Sequence, residues 1–454
     1  MAKRPVVRYV CSNCGAVHSA WAGRCSECGE WNTLEEEVTT PAAALSGFGG
    51  KQVAGRKLQP ESVDVSVRYD QPRLSSGIEE ADVVFGGGIV AGSVNLVAGE
   101  PGIGKSTLLL QLASAVAKDQ PVLYVSGEES VHQVGLRASR LGIAKNQLQL
   151  ATSTSTDDIA ATIASNAYKL VVVDSIQTIA TAAVPTAPGT VSQITNSTIA
   201  LTQAAKQTST AVVLVGHVTK EGAIAGPKVL EHVVDVVLQL EGDRYGGFKV
   251  LRAVKNRFGS TSEAGIFEMR EDGLQPVANP SASLLAERQV SDGSVVLATM
   301  EGSRPLLVEV QALVNKTAYG YPKRAASGID LNRLNLLIAM LERRTKLNLS
   351  DKDIYVNIVG GLRITEPAAD LAICMAIGSA SKGMQLKANA AVFGEVGLSG
   401  EVRHVPFVEK RIAEAKKMGF DTCIGPAVRT GKKPPELAAV RDIRTALNQF
   451  LEKE

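Results

Sequence analysis

One glycine-rich segment constrains the fold of this chain more than any other feature of its sequence. The segment follows an apolar run that predicts a strand, Ser93–Ala98, and it opens a leucine-rich run that predicts a helix. It consists of Gly99, Glu100, Pro101, Gly102, Ile103, Gly104, Lys105, Ser106 and Thr107. In the pattern G-x-x-x-x-G-K-S, backbone N–H groups point at phosphates, the lysine neutralises them and an adjacent hydroxyl ligates Mg²⁺. A chance glycine turn is the alternative, but the flanking strand and helix favour a phosphate loop.

The residues around the phosphate loop alternate between strand-like and helical patterns. Short runs rich in Val, Leu and Ile predict strands at Ser93–Ala98, Val122–Ser126, Leu170–Asp174, Ala211–Gly216, Val233–Leu240 and Phe248–Val254. Helical spacing predicts helices at Lys105–Ala117, Ser130–Leu141, Thr156–Tyr168 and Val191–Gln207. Continuous apolar runs are typical of strands buried on both faces, so we predict a doubly wound α/β core with a mostly parallel sheet.

The length of 454 residues leaves room for about three domains at ~150 residues each. We predict a cysteine-bearing domain at residues 1–34, a linker rich in Ala and Gly at 35–70, and the phosphate-loop domain at 71–280. Residues 285–454 have no nucleotide motif and predict a separate α/β domain. Its predicted elements include strands at Val295–Met300, Leu306–Val314, Ile354–Val359 and Ala391–Val396 and a helix at Leu331–Leu341.

The composition excludes several classes of protein. Hydrophobic residues make up 45% and charged residues 21%, as in globular proteins, and no apolar run approaches the ~20 residues of a transmembrane helix. The N-terminus lacks the apolar core of a signal peptide, so we expect a cytoplasmic protein. Because the net charge is only +2, any nucleic acid has to be bound by local basic patches.

Polar side chains follow three of the predicted strands, at the sheet edge where the phosphate loop lies. Asp174 can hold the Mg²⁺ shell together with Ser106; a helix-capping role is the alternative. Glu128 and Glu129 stand where a carboxylate can orient and deprotonate the water that attacks the γ-phosphate. Alternatively, they are acidic residues in the first turn of a helix. His217 can sense the γ-phosphate, although a lone histidine is more often structural.

Four of the six cysteines form two C-x-x-C pairs, Cys11 with Cys14 and Cys25 with Cys28. Ten residues separate the pairs, so four thiolates can surround one tetrahedral ion. In a cytosolic chain this pattern favours structural zinc over disulfides or redox chemistry. His18 lies between the pairs as an alternative ligand that the four cysteines make unnecessary, and no ligand position looks open for catalysis.

Taken in order, these residues resemble those of the RecA/DnaB class of ring-forming motors. The resemblance implies that Glu128 is the catalytic carboxylate, that Asp174 lies on the Mg²⁺ side and that His217 couples the γ-phosphate to DNA. It also implies ATP as the nucleotide. DnaB-type helicases have a Lys-x-Arg segment whose cations reach the ATP of the neighbouring subunit, and Lys255 and Arg257 match it. A solvated basic turn is the alternative for these two residues.

The chain resembles the bacterial RadA (Sms) family of recombination proteins over essentially its whole length. The resemblance rests on the four cysteines, the phosphate loop, the segment KNRFG at 255–259 and the segment YPKRAASGID at 321–330. It implies a homo-hexameric, DNA-dependent ATPase and helicase that moves on single-stranded DNA. It further implies branch migration of recombination intermediates alongside RecA, in homologous recombination and DNA repair.

Residues from about 290 onward resemble the proteolytic domain of Lon-type proteases, which use a Ser–Lys dyad. Ala368 occupies the serine position, and an alanine cannot attack a carbonyl. The run Gly394–Val402 matches the segment before the Lon lysine and places Glu409 at the lysine position, with Lys410 next to it. We therefore expect an inactive Lon-protease-like α/β domain that helps to close the ring.

Several segments are candidates for DNA contact. The loop between Asp174 and Val191 has the position of the DNA-contacting loops of the RecA/DnaB class, but it contains no basic residue. The basic residues that we single out are Lys220, Lys228, Lys323 and Arg324, with Arg343 and Arg344 as further candidates. The four in the C-terminal domain are equally well explained as solvated surface charges.

Two other functions compete with a DNA motor. An ATP-dependent Lon-like protease is motivated by the C-terminal domain and opposed by Ala368. A regulatory ATPase of the KaiC type shares the Glu-Glu pair, but its duplicated ATPase domains are absent, since the sequence has one phosphate loop. Stimulation of hydrolysis by single-stranded DNA separates the motor from both.

Overall fold

The chain divides into two compact units. The computed structural model describes residues 6–11, 16–39, 73–143, 147–165, 167–217, 229–242, 247–318, 320–387, 389–428 and 434–453. The first unit comprises residues 1–241, 251–261 and 270–275, and the second comprises residues 242–250, 262–269 and 276–454. Most of the predicted linker, residues 40–70, lies outside the described residues.

A small antiparallel sheet forms the N-terminal part of the first unit. Its strands are β1 (Val6–Cys11), β2 (Val17–His18) and β3 (Leu34–Thr39), in the order β2-β1-β3. β3 begins one residue before the predicted linker and runs five residues into it. It does so because residues 34–39 pair with the whole of β1 and satisfy its backbone groups.

The core of the first unit is a parallel sheet with intervening helices. In chain order its elements are α1 (Glu79–Phe85), β4 (Val94–Gly99), α2 (Lys105–Val116), β5 (Val122–Ser126), α3 (Val131–Arg140), β6 (Leu148–Thr152), α4 (Thr156–Ala164), β7 (Leu170–Asp174), α5 (Val191–Thr208), β8 (Ala211–His217), α6 (Val229–Val233) and β9 (Val236–Gly242). The strands lie in the order β6-β5-β7-β8-β4-β9, and all five pairings are parallel. Strands β10 (Phe248–Asn256), β11 (Ala264–Arg270) and β12 (Gly273–Pro276) follow in the chain, and their residues are divided between the two units.

Burial of both faces explains the apolar runs of this sheet. Strands β4, β5 and β7 are buried along their whole length. Their register places Ser126 opposite Asp174 and Gly99 opposite His217. The carboxyl ends of β4, β5, β7 and β8 therefore lie at one edge of the sheet, which is where ligands bind in folds of this kind.

Two segments of the first unit differ from the sequence prediction. The strand predicted at Val233–Leu240 begins only at Val236, because residues 229–233 form α6. Leu230 on this helix and Val234, which follows it, are four residues apart and are both buried in the core. Strand β6 was not predicted, since its residues are only partly buried and lack a continuous apolar run.

The second unit contains a seven-stranded mixed sheet. Its elements are α7 (Pro280–Leu285), β13 (Ser294–Glu301), β14 (Arg304–Lys316), β15 (Arg324–Ser327), α8 (Leu331–Thr345), β16 (Lys352–Ile358), a 3₁₀ turn (Pro367–Ala369), α9 (Asp370–Lys382), β17 (Gln385–Leu386), β18 (Ala390–Val392), β19 (Glu395–Val396), β20 (Val402–Arg403), α10 (Val408–Lys417), β21 (Thr422–Gly425), β22 (Leu437–Ala439), α11 (Ile443–Phe450) and β23 (Leu451–Glu452). The order of the main sheet is β15-β16-β14-β13-β18-β21-β22, while β17 pairs with β23 and β19 with β20.

The core of the second unit surrounds helix α9, which is buried from Asp370 to Ser379. The strand predicted at Ala391–Val396 is split into β18 and β19. The split occurs because Gly394 leaves the sheet, and its N–H donates to the carbonyl of Ala368 at 2.7 Å. Among the described residues, no helix is long and apolar enough to cross a membrane.

Candidate nucleotide-binding site

The phosphate loop connects β4 to α2 and depends on its glycines. Gly104 immediately precedes α2 with a φ of 113°, in the left-handed region that a side chain disfavours. At Gly99, a Cβ atom would lie 2.6 Å from the carbonyl oxygen of Leu240, so only glycine fits against β9. No side chain among the described residues caps α2, which leaves its first N–H groups available for an anion.

Lys105 is buried and folds back over its own loop. Its Nζ donates to the carbonyl oxygens of Gly99 and Glu100, both at 2.9 Å, and lies 3.3 Å from Nδ1 of His217. Burial lowers the pKa of Lys105 to about 8, although Asp174, Glu128 and Glu100 oppose the shift. The ammonium thus makes three contacts that phosphate oxygens can replace.

Asp174 is held by a tyrosine on the neighbouring strand. The hydroxyl of Tyr124 donates to Oδ2 of Asp174 at 2.6 Å. Burial, and next the negative charge of Asp174, raise the pKa of Tyr124 well above its usual value, so the phenol remains protonated and donates. The peptide bond between Asp174 and Ser175 is cis.

Glu128 faces the phosphate loop and is contacted from two sides. Ser175 donates its hydroxyl to Oε1 of Glu128 at 2.5 Å, and Nε2 of His217 lies 3.6 Å from the same oxygen. Because Nδ1 of His217 faces the Lys105 ammonium as an acceptor, the contacts assign the ring proton to Nε2, towards Glu128. The side chain of Glu128 is 45% exposed and can therefore meet a water molecule.

The two adjacent glutamates, Glu128 and Glu129, have different partners in the structure. Both carboxylate oxygens of Glu129 accept from Nη2 of Arg137, at 2.5 and 2.6 Å. Neither glutamate lies in the first turn of α3, since that helix begins at Val131 and is capped by Ser130 with Gln133. Glu129 is therefore occupied by an ion pair, and Glu128 is the carboxylate at the phosphate loop.

The donor set at the head of α2 suits Mg²⁺. The Ser106 hydroxyl and the Asp174 carboxylate are hard oxygen ligands of the kind that Mg²⁺ binds beside nucleotide phosphates. Among the described residues, Tyr124 is the only side chain that hydrogen-bonds the Asp174 carboxylate, and it occupies Oδ2. Oδ1 thus remains for a metal-bound water or the ion itself.

Lys255 and Arg257 have different environments. Nζ of Lys255 donates to the carbonyl oxygens of Val234, at 2.7 Å, and of Glu231, and burial lowers its pKa. Nη1 of Arg257 donates to Oδ1 of the buried Asp235 at 3.0 Å, while 49% of the Arg257 side chain is exposed. Within the described ranges, no hydrogen bond joins either cation to the phosphate loop.

The long loop after Asp174 is organised by one buried glutamine. Nε2 of Gln193 donates to the carbonyl oxygens of Thr181, Val184 and Thr186 at 3.2, 2.7 and 3.0 Å, and its Oε1 accepts from the N–H of Thr181. These bonds tie residues 181–186 of the loop to the first turn of α5. Lys220 and Lys228, the other DNA candidates of this unit, lie outside the described residues.

Three of the four predicted zinc ligands converge. The thiol sulfurs of Cys11, Cys25 and Cys28 lie within 4.8 Å of one another, and Cys14 lies outside the described residues. Nε2 of His18 is 3.4 Å from Sγ of Cys25, so the histidine sits beside this cluster. Thiolates at this spacing suit one tetrahedral zinc ion.

The Lon-like segment of the second unit holds a buried ion pair. Ala368 is buried, Glu409 is exposed, and Nζ of Lys410 donates to the carbonyl oxygen of Ser303 at 3.2 Å. Arg411, which is fully buried, donates through Nη1 and Nη2 to the two carboxylate oxygens of Glu366, at 2.9 and 2.7 Å.

Further contacts complete this buried pair. Nη1 of Arg411 also donates to the carbonyl oxygen of Ala298 at 2.6 Å, and Nε donates to that of Pro406 at 3.2 Å. Glu366 in turn accepts from the hydroxyl of Thr299 and from the N–H of Met300. The positions that match the Lon dyad thus hold an alanine and an exposed glutamate, beside an ion pair that links four segments of the unit.

The basic candidates of the YPKRAASGID segment also differ from each other. The guanidinium of Arg324 donates to the carbonyl oxygens of Leu349, at 3.0 Å, and Lys352. It is therefore committed to the fold of the second unit. Lys323 is exposed.

Several residues of these sites are not among those predicted from the sequence. Tyr124 gave a usable signal, because a phenol in a strand buried on both faces needs an acceptor nearby. Ser175 and Arg411 gave none, since a serine after a strand and an arginine in an amphipathic helix are usually exposed.

Comparisons with known proteins agree with this arrangement. A family model of an AAA domain matches residues 60–223, a model of a rubredoxin metal binding domain matches residues 9–36, and a model of subunit ChlI of Mg-chelatase matches residues 334–428. These matches support the predicted ATP and zinc. With the sheet order, they confirm the predicted fold class, which is a RecA-like phosphate-loop core, a zinc knuckle and a Lon-protease-like α/β domain.

Relatives match over nearly the whole chain. A protein named DNA repair protein RadA from Brucella abortus (strain 2308) is 50% identical over 427 residues, which cover 91% of this chain and 90% of the relative. Proteins of the same name from Pseudomonas aeruginosa (strain PAO1) and Escherichia coli (strain K12) are 47% and 45% identical. The alignments cover 98% of both chains for the first and 99% of both chains for the second. The chain therefore belongs to the family of the DNA repair protein RadA.

Proposed function

We propose that this chain is a DNA-dependent ATPase that acts in DNA repair and homologous recombination as a ring-shaped DNA helicase. The observation that supports the proposal best is the convergence of Lys105, His217 and Glu128 beside the phosphate loop. Lys105 contacts His217 at 3.3 Å, and His217 lies 3.6 Å from Glu128, which is half-exposed. Relatives named for DNA repair support the biological setting.

In the proposed reaction, Lys105 exchanges its carbonyl contacts for oxygens of the β- and γ-phosphates. Glu128 orients the attacking water and accepts its proton. His217 bridges Lys105 and Glu128, so it can report whether a γ-phosphate is bound. Ser106 and Asp174 would hold Mg²⁺, which would supply charge neutralisation at the nucleotide phosphates.

We further propose a homo-hexamer in which Arg257 reaches the ATP of the neighbouring subunit. Its guanidinium is half-exposed and tethered only by Asp235 among the described contacts, so it can move towards a phosphate. A cation supplied in trans stabilises the charge of the transition state and ties hydrolysis to ring assembly. We do not assign this movement to Lys255, because its ammonium already donates to the carbonyl oxygens of Glu231 and Val234 at the end of α6.

The proposed DNA substrates are single strands and branched recombination intermediates, with RecA as a partner in branch migration. The loop held by Gln193 would contact the DNA backbone through N–H groups and hydroxyls, since it contains no basic residue. Lys220 and Lys228 would neutralise phosphates, and Lys323 would do so in the second unit. The working location would be the cytoplasm.

The protease alternative has little chemical support. Ala368 offers no nucleophile, and the neighbouring Glu366 is bound by the buried Arg411. A regulatory ATPase would use the same phosphate loop without a response to DNA, so it is the alternative that an experiment has to exclude.

The test is steady-state ATP hydrolysis with and without single-stranded DNA, for the wild type, Lys105→Ala and Arg257→Ala. We expect strong stimulation of the wild type and little activity in either variant. An equimolar mixture of the two variants should regain activity, because a ring then contains sites with an intact Lys105 and an intact neighbouring Arg257. Arg252→Ala, on strand β10, which ends one residue before Arg257, is the matched control. ATP hydrolysis that single-stranded DNA does not stimulate, or wild-type hydrolysis by Arg257→Ala, would contradict the proposed motor function.

A further inference from the structure

Tyr124 is a buried polar side chain at the site to which the proposed reaction gives no task. Tyr124 lies on β5 and is 1% exposed, and its neighbours on that strand are Val122, Leu123 and Val125. A phenol in such surroundings needs an acceptor for its hydroxyl. The acceptor is Oδ2 of Asp174, 2.6 Å away on the neighbouring strand β7.

The register of the two strands explains how Tyr124 reaches Asp174. Tyr124 stands opposite Val172, two residues before Asp174 along β7, whereas Ser126 is the residue opposite Asp174. The length of the phenol ring spans this diagonal offset. A shorter hydroxyl side chain at position 124 would not reach the carboxylate.

The hydrogen bond fixes the orientation of the carboxylate. With Oδ2 occupied by Tyr124, the carboxylate is held against rotation, and Oδ1 points in one direction. Mg²⁺ requires near-octahedral geometry and tolerates little displacement of its ligands. A carboxylate that is already oriented therefore loses less freedom when a metal–nucleotide complex binds.

We propose that Tyr124 is a positioning residue for the Mg²⁺ shell of the bound nucleotide, acting through Asp174. The inference rests on the proposed role of Asp174 towards Mg²⁺. A merely structural tyrosine would affect nucleotide binding equally with and without the metal. A positioning tyrosine affects the part of the binding that depends on Mg²⁺.

The test compares the affinity of the full-length chain for a fluorescent ATP analogue in Mg²⁺ and in EDTA. The ratio of the two affinities is the gain from Mg²⁺. We expect Tyr124→Phe, which keeps the ring, to lower this gain about tenfold and to leave the affinity in EDTA within about twofold of the wild type. Tyr168→Phe is the matched control, since its hydroxyl bonds Gln149 at the same distance of 2.6 Å, outside the site, and it should keep the full gain.

Asp174→Asn separates the inference from the function on which it rests. If Asp174→Asn keeps the full gain from Mg²⁺, the proposed metal role of Asp174 fails. If Asp174→Asn loses the gain and Tyr124→Phe keeps it, the positioning role of Tyr124 fails alone. An equal loss of affinity in Mg²⁺ and EDTA for Tyr124→Phe would also overturn that role. The double variant should behave as Asp174→Asn does, because the hydroxyl acts only through that carboxylate.

Discussion

The phosphate-loop site and the Glu366–Arg411 pair are both built from carboxylates and cations, but they differ in what they leave accessible. At the phosphate loop, Glu128 is 45% exposed, and Lys105 contacts carbonyl oxygens that a phosphate can replace. In the second unit, Arg411 is fully buried, and its three nitrogens all have protein acceptors. A polar site that acts on a substrate has groups that the substrate can reach. A polar cluster that stabilises a fold has its hydrogen-bonding groups paired with other protein groups.

The largest effect that we expect follows Lys105→Ala. Removal of this ammonium should bring ATP turnover below detection and weaken ATP binding by about 2–5 kcal/mol, because the phosphates lose a buried partner. The melting temperature should change little, since burial disfavours the charged form of Lys105, as its lowered pKa shows. Calorimetric binding and a thermal melt check both statements. A large loss of stability would mean that Lys105, like Arg411, mainly stabilises the fold, and the difference between the two sites would disappear.

Arg411→Ala should have the opposite pattern. It leaves the Glu366 carboxylate without its cation, which should destabilise the second unit by about 3–5 kcal/mol. ATP affinity, measured below the unfolding transition, should stay at the wild-type value. Lys410→Ala is the matched control, because Lys410 is exposed and should change stability by no more than about 0.5 kcal/mol. Chemical denaturation followed by circular dichroism measures these differences, and equal effects of the two substitutions would contradict the structural role of Arg411.

Ser175→Ala tests whether Ser175 supports hydrolysis by holding Glu128. Its hydroxyl donates to Oε1 of Glu128 at 2.5 Å, so its loss should lower the turnover number about tenfold by freeing the carboxylate. ATP affinity should be unchanged, since Ser175 contacts no residue of the phosphate loop among the described hydrogen bonds. Parallel turnover and binding measurements separate the two effects. Weaker ATP binding with normal turnover would argue against a role through Glu128.

The smallest expected effect is a proton taken up with ATP. The pKa of Lys105 is lowered to about 8, and the negative phosphates should raise it when ATP binds. At pH 8 about half of the free protein therefore has a neutral lysine, and ATP binding should take up about half a proton. Affinity is then greatest below pH 8 and falls as the pH rises above it. Calorimetry in buffers of different ionisation enthalpy measures the uptake, which Lys105→Arg should abolish.

The sequence predicted the phosphate-loop core well because its signals are local. The strands predicted at Val122–Ser126 and Leu170–Asp174 have those bounds in the structure. A continuous apolar run followed by a polar residue identifies such a strand and its carboxyl end without any knowledge of its neighbours. The same local logic predicted three cysteines that do meet, Cys11, Cys25 and Cys28.

The contacts that select residues within the site are not local, and the sequence did not predict them. Glu128 and Glu129 are adjacent in the sequence, and their contacts in the fold distinguish them. Arg137, which lies on α3 eight residues after Glu129, binds Glu129, whereas Ser175 donates to Glu128 from the end of another strand. Arg411 pairs with Glu366, which is 45 residues away in the sequence. Such pairings depend on strand order and helix packing, which apolar periodicity does not specify.

We propose that Glu128 drives hydrolysis at a site that keeps it accessible. ATP turnover by Glu128→Gln in the presence of single-stranded DNA tests this role, with ATP affinity measured on the same protein. We expect turnover to fall about 10²- to 10⁴-fold, because the amide cannot accept the proton of the attacking water, while ATP affinity stays close to that of the wild type. Turnover at the wild-type level would contradict the claim and transfer the catalytic role to another group.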